Sequence, residues 1–141
     1  MKLNSYYENL EWRIGCAKRF FETHKWEYTI LEEGFTDIHI RVPKVDFFVY
    51  DCMLHRVLAV MMDGGDERNG FSDANIRSNW KRLRPRLEQA ARLWVRHHRE
   101  YYYDKINLAQ CVVFGSQGEE PEITLLTDAT AINTFDRVYG F

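Results

Sequence analysis

The sequence has few cysteines, no long apolar run and little net charge, and each of these absences excludes a class of protein. Its three cysteines are scattered and lie outside any CxxC arrangement: Cys16, Cys52 and Cys111. This pattern argues against a disulfide framework and a structural zinc site, and it favours a reducing compartment. No run approaches the ~18 apolar residues of a membrane span, and the charged N-terminus shows no apolar signal-peptide core. We therefore expect a cytoplasmic protein.

The common short signatures of catalysis are also missing. The chain contains no P-loop, GxGxxG, HExxH or GxSxG motif. His97 and His98 are adjacent, so on a helix they point to different sides and do not form a two-ligand metal site. Cys16 has no identifiable activating partner. The net charge of −2 shows that the chain is no bulk polycation, so any nucleic-acid footprint has to be local.

The length and composition fit one globular domain covering residues 1–141. The chain has 141 residues, of which 45% are hydrophobic and 28% charged. Its periodicities predict the order α-β-β-β-β-α-β-β-α. The helices are predicted at 3–24, 73–103 and 129–138, and the strands at 26–31, 36–42, 45–51, 56–63, 108–114 and 122–126. This order predicts an α/β (α+β) fold with a central mixed sheet flanked by helices.

Two interruptions are predicted within this order. The Glu32-Glu33-Gly34 segment is predicted to be a turn after the first strand. Pro85 interrupts the apolar stripe of the long helical stretch. Either the helix kinks there, or one helix ends near Leu83 and a second begins with Pro85 at its first position.

The two central strands carry acidic residues near their ends. Asp46 lies at the start of the first strand and Asp63 at the end of the second. Adjacent antiparallel strands bring two such side chains together if register and faces agree. Two or three converging carboxylates can hold Mg²⁺ for phosphodiester hydrolysis. Alternatively both are ordinary strand-end residues, with Asp63 serving the Gly64-Gly65 turn.

The long helical stretch is strongly basic. Between Ala74 and Arg99 lie eight basic residues and a single acid, Glu88. Six of the basic residues fall on one side of the helix, next to the apolar stripe: Arg77, Lys81, Arg84, Arg92, Arg96 and Arg99. Because arginine forks match phosphate oxygens, this side predicts nucleic-acid binding. The alternatives are a solvated face in which Glu88 pairs with Arg84 and Arg92, or a surface for an acidic protein partner.

With this order of elements, Val45-Asp46-Phe47-Phe48-Val49 and the run from Val57 to Gly64 resemble the PD-(D/E)xK restriction-endonuclease-like superfamily. The core of that family has a helix, three antiparallel strands, a second helix and a further strand. An Asp stands at the start of its second strand, and an acid and a Lys at the end of its third. The resemblance spans roughly residues 3–114. It implies a restriction-endonuclease-like core and, in an active member, a Mg²⁺-dependent endonuclease.

The same resemblance implies roles for individual residues. Asp46 and Asp63 would bind the metal and take part in catalysis. Glu11, or Glu8, would match the carboxylate that family members often carry on the first helix. Lys81, or Arg77, would supply a migrated positive charge.

The chain also departs from the family pattern. If Asp63-Gly64 matches the family's Asp-Gly, the metal-binding Glu falls on Met61. If Asp63 is itself the acidic residue, the lysine position is Gly65. Val45 stands where the motif has proline. We therefore expect a degenerate member that binds nucleic acid without cutting, and the alternative is a protein-interaction module such as an immunity or inhibitor protein.

Overall fold

A computed structural model describes residues 2–36, 44–62, 73–101, 105–114 and 120–132. The two helices and five strands are α1 (Lys2–Thr23), β1 (Tyr28–Phe35), β2 (Val45–Asp51), β3 (Arg56–Met62), α2 (Asp73–His97), β4 (Lys105–Phe114) and β5 (Glu122–Ile132). A 3₁₀ turn at Arg99–Tyr101 follows α2. Within these ranges, neither helix has the length and apolar character needed to cross a membrane.

The five strands form one mixed sheet in the order β1-β2-β3-β4-β5. Neighbouring strands are antiparallel except for β3 and β4, which are parallel. Parallel neighbours need a crossover connection, and α2 lies in the chain between these two strands. The prediction of an α/β (α+β) chain with a central mixed sheet flanked by helices is confirmed.

The centre of the sheet is buried on both faces. Side chains at 57, 59 and 61 of β3 pack in the cluster that contains α2, and those at 58, 60 and 62 pack in the cluster that contains α1. Such two-sided burial explains why β3 is apolar almost throughout. The two helices therefore cover opposite faces of the sheet, and β3 contributes to both cores.

Each helix buries the apolar stripe that its sequence predicts. Ala17 and Phe21 of α1 lie in one core. Leu87, Ala91 and Trp94 of α2 lie in the other. Steps of three and four residues place these side chains on one face of each helix, so burial of that face holds the helix against the sheet.

The structure corrects several predicted boundaries. The α2 helix ends at His97 rather than 103, and it continues through Pro85, so the two-helix alternative was wrong. The predicted Glu32-Glu33-Gly34 turn was also wrong, because β1 continues to Phe35. Pairing with β2 carries the strand past a register shift between Ile30 and Glu32, and the positive φ of 71° at Gly34 is one that glycine adopts without strain.

Two further differences concern the predicted second strand and third helix. Of the predicted strand 36–42, residue 36 lies outside any strand and the rest lies outside the described residues. The helix predicted at 129–138 was wrong for 129–132, which extend β5. These residues pair with the start of β4, so a long-range contact decides their structure. Residues 133–138 lie outside the described part of the chain.

Candidate functional site

Asp46 lies where the pairing of β2 and β3 ends. The register of these strands runs from Asp51 opposite Arg56 to Phe47 opposite Val60. Asp46 lies one residue beyond this last pair on β2. There its side chain, rather than its backbone, contacts the backbone of β3. The Met62 N–H donates a hydrogen bond to Asp46 Oδ2 at 2.8 Å. The carboxylate thus closes the end of the strand pair.

Burial raises the pKa of Asp46 above its ordinary value of 3.8, because an ionised carboxylate loses hydration there. The hydrogen bond from Met62 and the charge of Lys44 act in the opposite direction. Burial, and after it the charge of Asp46, raises the pKa of the Cys111 thiol to about 12. A thiol with this pKa stays protonated near neutral pH, so Cys111 is no nucleophile.

Two further catalytic candidates lie on the helices, on opposite sides of the sheet. Glu11 is exposed on α1 and Lys81 is exposed on α2. Neither is hydrogen-bonded or ion-paired to Asp46 in the described part of the chain. Asp63 lies outside the described residues, as do the side chains of Glu8 and Arg77.

The described residues do not by themselves form a magnesium site. They contain no group of three or more His, Cys, Asp or Glu side chains that could hold a metal ion. Mg²⁺ prefers six oxygen ligands, and Asp46 is the one predicted ligand whose position is described. Met61, which stands where one alignment needs a Glu, is buried in the core beneath α2. The Met61 side chain therefore packs in the core and supplies no metal ligand.

Lys44 is a neighbour of Asp46 that the sequence interpretation missed. Its Cε lies 3.1 Å from where a Cβ on Gly34 would be, so Gly34 leaves room for the lysine side chain. The charge of Lys44 helps to keep Asp46 ionised. The Lys-Val-Asp spacing could have predicted that Lys44 and Asp46 are neighbours, because alternate residues of an extended chain share a face.

The basic side of α2 divides into exposed and paired residues. Four cations are exposed along the helix and one follows it: Lys81, Arg82, Arg86, Arg96 and Arg99. Arg82 and Arg86 were outside the predicted nucleic-acid-binding set. The side chain of Arg77, a member of that set, is outside the described residues.

Arg84 and Arg92 are held by acidic side chains. Arg84 contacts Glu88 at 3.3 Å and Asp128 of β5 at 2.6 Å, and Arg92 also pairs with Glu88. The hydrogen bond to Asp128 is the main reason that the pKa of Arg84 is raised. The pairing of Glu88 with both arginines, predicted as the alternative for these two residues, is confirmed. Their charges are thus partly neutralised within the molecule.

Comparison with known proteins does not assign a family. A scan against protein-family models gives no match, and a search of curated proteins finds no significantly similar sequence. The two candidate surfaces are the Asp46 end of the sheet and the exposed face of α2.

Proposed function

We propose that this chain is a nucleic-acid-binding protein with a restriction-endonuclease-like core, and that it binds without cutting. The exposed face of α2 carries this proposal. Between Trp80 and His97 the exposed charged side chains are all basic, namely Lys81, Arg82, Arg86 and Arg96, and Glu88 is the one acid in this segment. Such a local excess of cations in a net acidic chain is the electrostatic footprint of a phosphate-binding surface.

The dimensions of this face suit a nucleic-acid backbone. At 1.5 Å per residue, the helix rises ~22 Å from Lys81 to Arg96. With ~3.4 Å of rise per nucleotide along a strand, this length corresponds to about six nucleotides. Arginine is the main cation here, and its planar guanidinium can donate two hydrogen bonds to one phosphate.

The order of elements supports the choice of core. A helix, three antiparallel strands, a second helix and a strand parallel to the third agree with the order of the restriction-endonuclease-like family. Asp46 stands at the start of the second strand, as the family's Asp does. In either alignment of the third strand one group that an active member needs is missing, with Met61 or Gly65 in its place, and this favours binding over cleavage. Cys16, Cys52 and Cys111, all within the described residues, form no disulfide with one another. We extend the proposal to a cytoplasmic location.

Binding is tested with a labelled duplex and a labelled single strand, by fluorescence anisotropy at several salt concentrations. We expect binding that weakens with salt, and we expect Arg86→Gln and Arg96→Gln each to lower the magnitude of the log–log salt slope by about 1. Lys25→Gln, which removes an exposed cation from the turn between α1 and β1, is the matched control and should leave the slope unchanged. An absence of binding to either probe at low salt would contradict the proposal.

A second variant changes the charge of the same face in the opposite direction. Glu88→Gln removes the acid that neutralises Arg84 and Arg92. We expect affinity for the preferred probe to rise by about threefold, as befits the modest strength of partly exposed ion pairs. Unchanged or lower affinity in Glu88→Gln would place the binding surface away from these two arginines.

Cleavage is measured on the same probes in EDTA and in Mg²⁺ or Mn²⁺. We expect intact nucleic acid under all conditions. Metal-dependent cleavage that disappears in Asp46→Ala would instead establish a nuclease and assign Asp46 to its site.

A further inference from the structure

The three most exposed large hydrophobic side chains of the described residues lie on two turns that touch each other. Trp26 is 66% exposed, Met53 62% and Leu54 63%. Trp26 belongs to the turn between α1 and β1, and the other two to the turn between β2 and β3. The Cys52 N–H donates a hydrogen bond of 2.8 Å to the Glu27 carbonyl, which joins the turns. We call Trp26, Met53 and Leu54 the hydrophobic tip.

Buried contacts beneath the tip fix the conformation of the second turn. Asp51 Oδ1 accepts hydrogen bonds of 3.1 Å from both the Met53 and the Leu54 N–H. Asp51 is itself 2% exposed and ion-paired to Arg56 at 3.0 Å. His55 closes the turn with a positive φ of 51°. A binding element held in this way needs little further ordering when it meets a partner.

The charges that flank the tip have both signs. In and next to the first turn, Glu22 and Lys25 are exposed and Glu27 is half-buried. Lys105 is exposed opposite Arg56 at the base of the second turn. An anionic membrane or a nucleic acid would be attracted by an excess of cations, which these residues do not provide. An apolar centre with a mixed polar rim is instead the usual anatomy of a protein–protein contact.

The size and shape of the tip favour a different protein over a second copy of this chain. Three side chains of this size, each about two-thirds exposed, present on the order of 400 Å² together. A standard stable interface buries about 800 Å² on each partner. The tip also projects from turns, and two projecting surfaces bury little area against each other. A concave partner surface can surround it and add contacts at the rim.

We propose that the hydrophobic tip inserts into an apolar pocket on a protein partner and acts as the anchor of that complex. Trp26 supplies the type of side chain most enriched among interface hot spots. Met53 supplies an adaptable side chain that fills irregular gaps. This surface uses no residue of α2, so the proposal is independent of nucleic-acid binding and would stand if that function failed.

The partner is first captured by photocrosslinking. Benzoylphenylalanine is placed at position 53, within the tip, in cells that naturally produce the chain. The matched control carries it at position 126, because Leu126 is the fourth exposed large hydrophobic residue of the described chain, at 42%, and lies on β5. We expect a protein adduct at 53 that is absent at 126. No adduct at 53 above the level at 126 would overturn the proposal.

The captured protein is then identified and purified, and its affinity for the chain is measured by calorimetry. We expect Trp26→Ser to weaken binding by tenfold or more and Leu54→Ser by several-fold, while Leu126→Ser leaves it unchanged. Superimposable thermal melting curves of the variants would show that each keeps its fold. Equal affinities for the wild type and both tip variants would overturn the proposal.

Two parallel measurements exclude the other possible occupants. Cosedimentation with phosphatidylcholine vesicles tests a lipid surface, and sedimentation velocity over a wide concentration range tests self-association. We expect no vesicle binding and no concentration-dependent dimer. Vesicle binding or dimerisation that disappears in Trp26→Ser would assign the tip to that occupant and overturn its assignment to a protein pocket.

Discussion

Two aspartates at opposite ends of β2 show how environment decides what the same side chain does. Asp51 is buried, accepts two backbone hydrogen bonds and forms an ion pair with Arg56. Asp46 accepts one backbone hydrogen bond, and Lys44 acts on it only as a nearby charge. We therefore expect the contacts of Asp51 to stabilise the fold, and we expect folding to make Asp46 easier to protonate.

The contribution of Asp51 is tested by Asp51→Asn. The amide oxygen can still accept the two turn hydrogen bonds, but the charge beside Arg56 is lost. Because a largely buried cation is left without its counter-ion, we expect the free energy of unfolding to fall by about 1–3 kcal/mol in urea denaturation. The control Glu122→Gln removes an exposed carboxylate and should change the free energy of unfolding by less than about 0.5 kcal/mol. Equal effects would mean that the Asp51–Arg56 pair contributes nothing specific.

Asp46 gives a pH dependence of definite sign. Since its pKa is raised in the folded state, the folded protein binds the proton more tightly than the unfolded chain. The associated stability is fully present below 3.8, the ordinary value, and is lost as the pH rises through the folded pKa. Each unit of pKa elevation corresponds to about 1.4 kcal/mol.

Asp46→Asn removes this titration while keeping an acceptor for the Met62 N–H. We expect the variant to be more stable than the wild type at pH 7, with the difference shrinking as the pH falls towards 4. The measurement is urea unfolding at a series of pH values. The compared quantity is the unfolding free energy of the variant minus that of the wild type. A smaller value of this difference at pH 7 than at pH 4 would contradict the expected sign.

At the scale of single elements, α2 and β1 both continue through residues that often end them. Pro85 is exposed and lies inside α2, where it removes one backbone hydrogen bond and crowds the preceding turn. The burial of Leu87, Ala91 and Trp94 against the sheet offsets that cost. Among the described strands β1 lies at an edge of the sheet, and the register shift and Gly34 distort it, which discourages its pairing with other chains.

The cost of Pro85 is tested by Pro85→Ala. We expect the free energy of unfolding to rise by about 1–3 kcal/mol, because alanine restores the missing hydrogen bond and has the best helix propensity. Gln89→Ala, at an exposed position one turn further along α2, is the control and should change stability by less than about 0.5 kcal/mol. A loss of stability in Pro85→Ala would show that the structure depends on the proline.

At the scale of the whole molecule, the two cores share the strands of one sheet. Leu58 of β3 lies in the core beneath α1, and Leu87 of α2 lies in the other. Both side chains are fully buried. Because β3 borders both cores, we expect the loss of one to remove the support of the other.

Leu58→Ala and Leu87→Ala test this coupling. Each should lower the free energy of unfolding by about 2–5 kcal/mol, and each should shift the tryptophan-fluorescence and far-UV circular-dichroism transitions by the same amount. Separate transitions for the two probes would show that the cores unfold independently.

The sequence by itself determined the features that depend on local spacing. The apolar stripes of α1 and α2 and the continuous apolar run of β3 follow from side-chain periodicity, so these elements were predicted within a few residues except at the C-terminal end of α2. The pairing of Glu88 with Arg84 and Arg92 was predicted for the same reason, because residues four apart are neighbours on any helix.

Only the tertiary structure decided what depends on contacts between distant residues. Arg84 meets Asp128 from 44 positions away, and β5 extends over residues predicted as helix because β4 offers it backbone partners. Lys44 passes close to Gly34 of the neighbouring strand, and the turn that carries Trp26 is joined to the β2–β3 turn by the hydrogen bond from the Cys52 N–H to the Glu27 carbonyl. Local periodicity carries no information about which strand or turn will be the neighbour, so these contacts arise only when the sheet assembles.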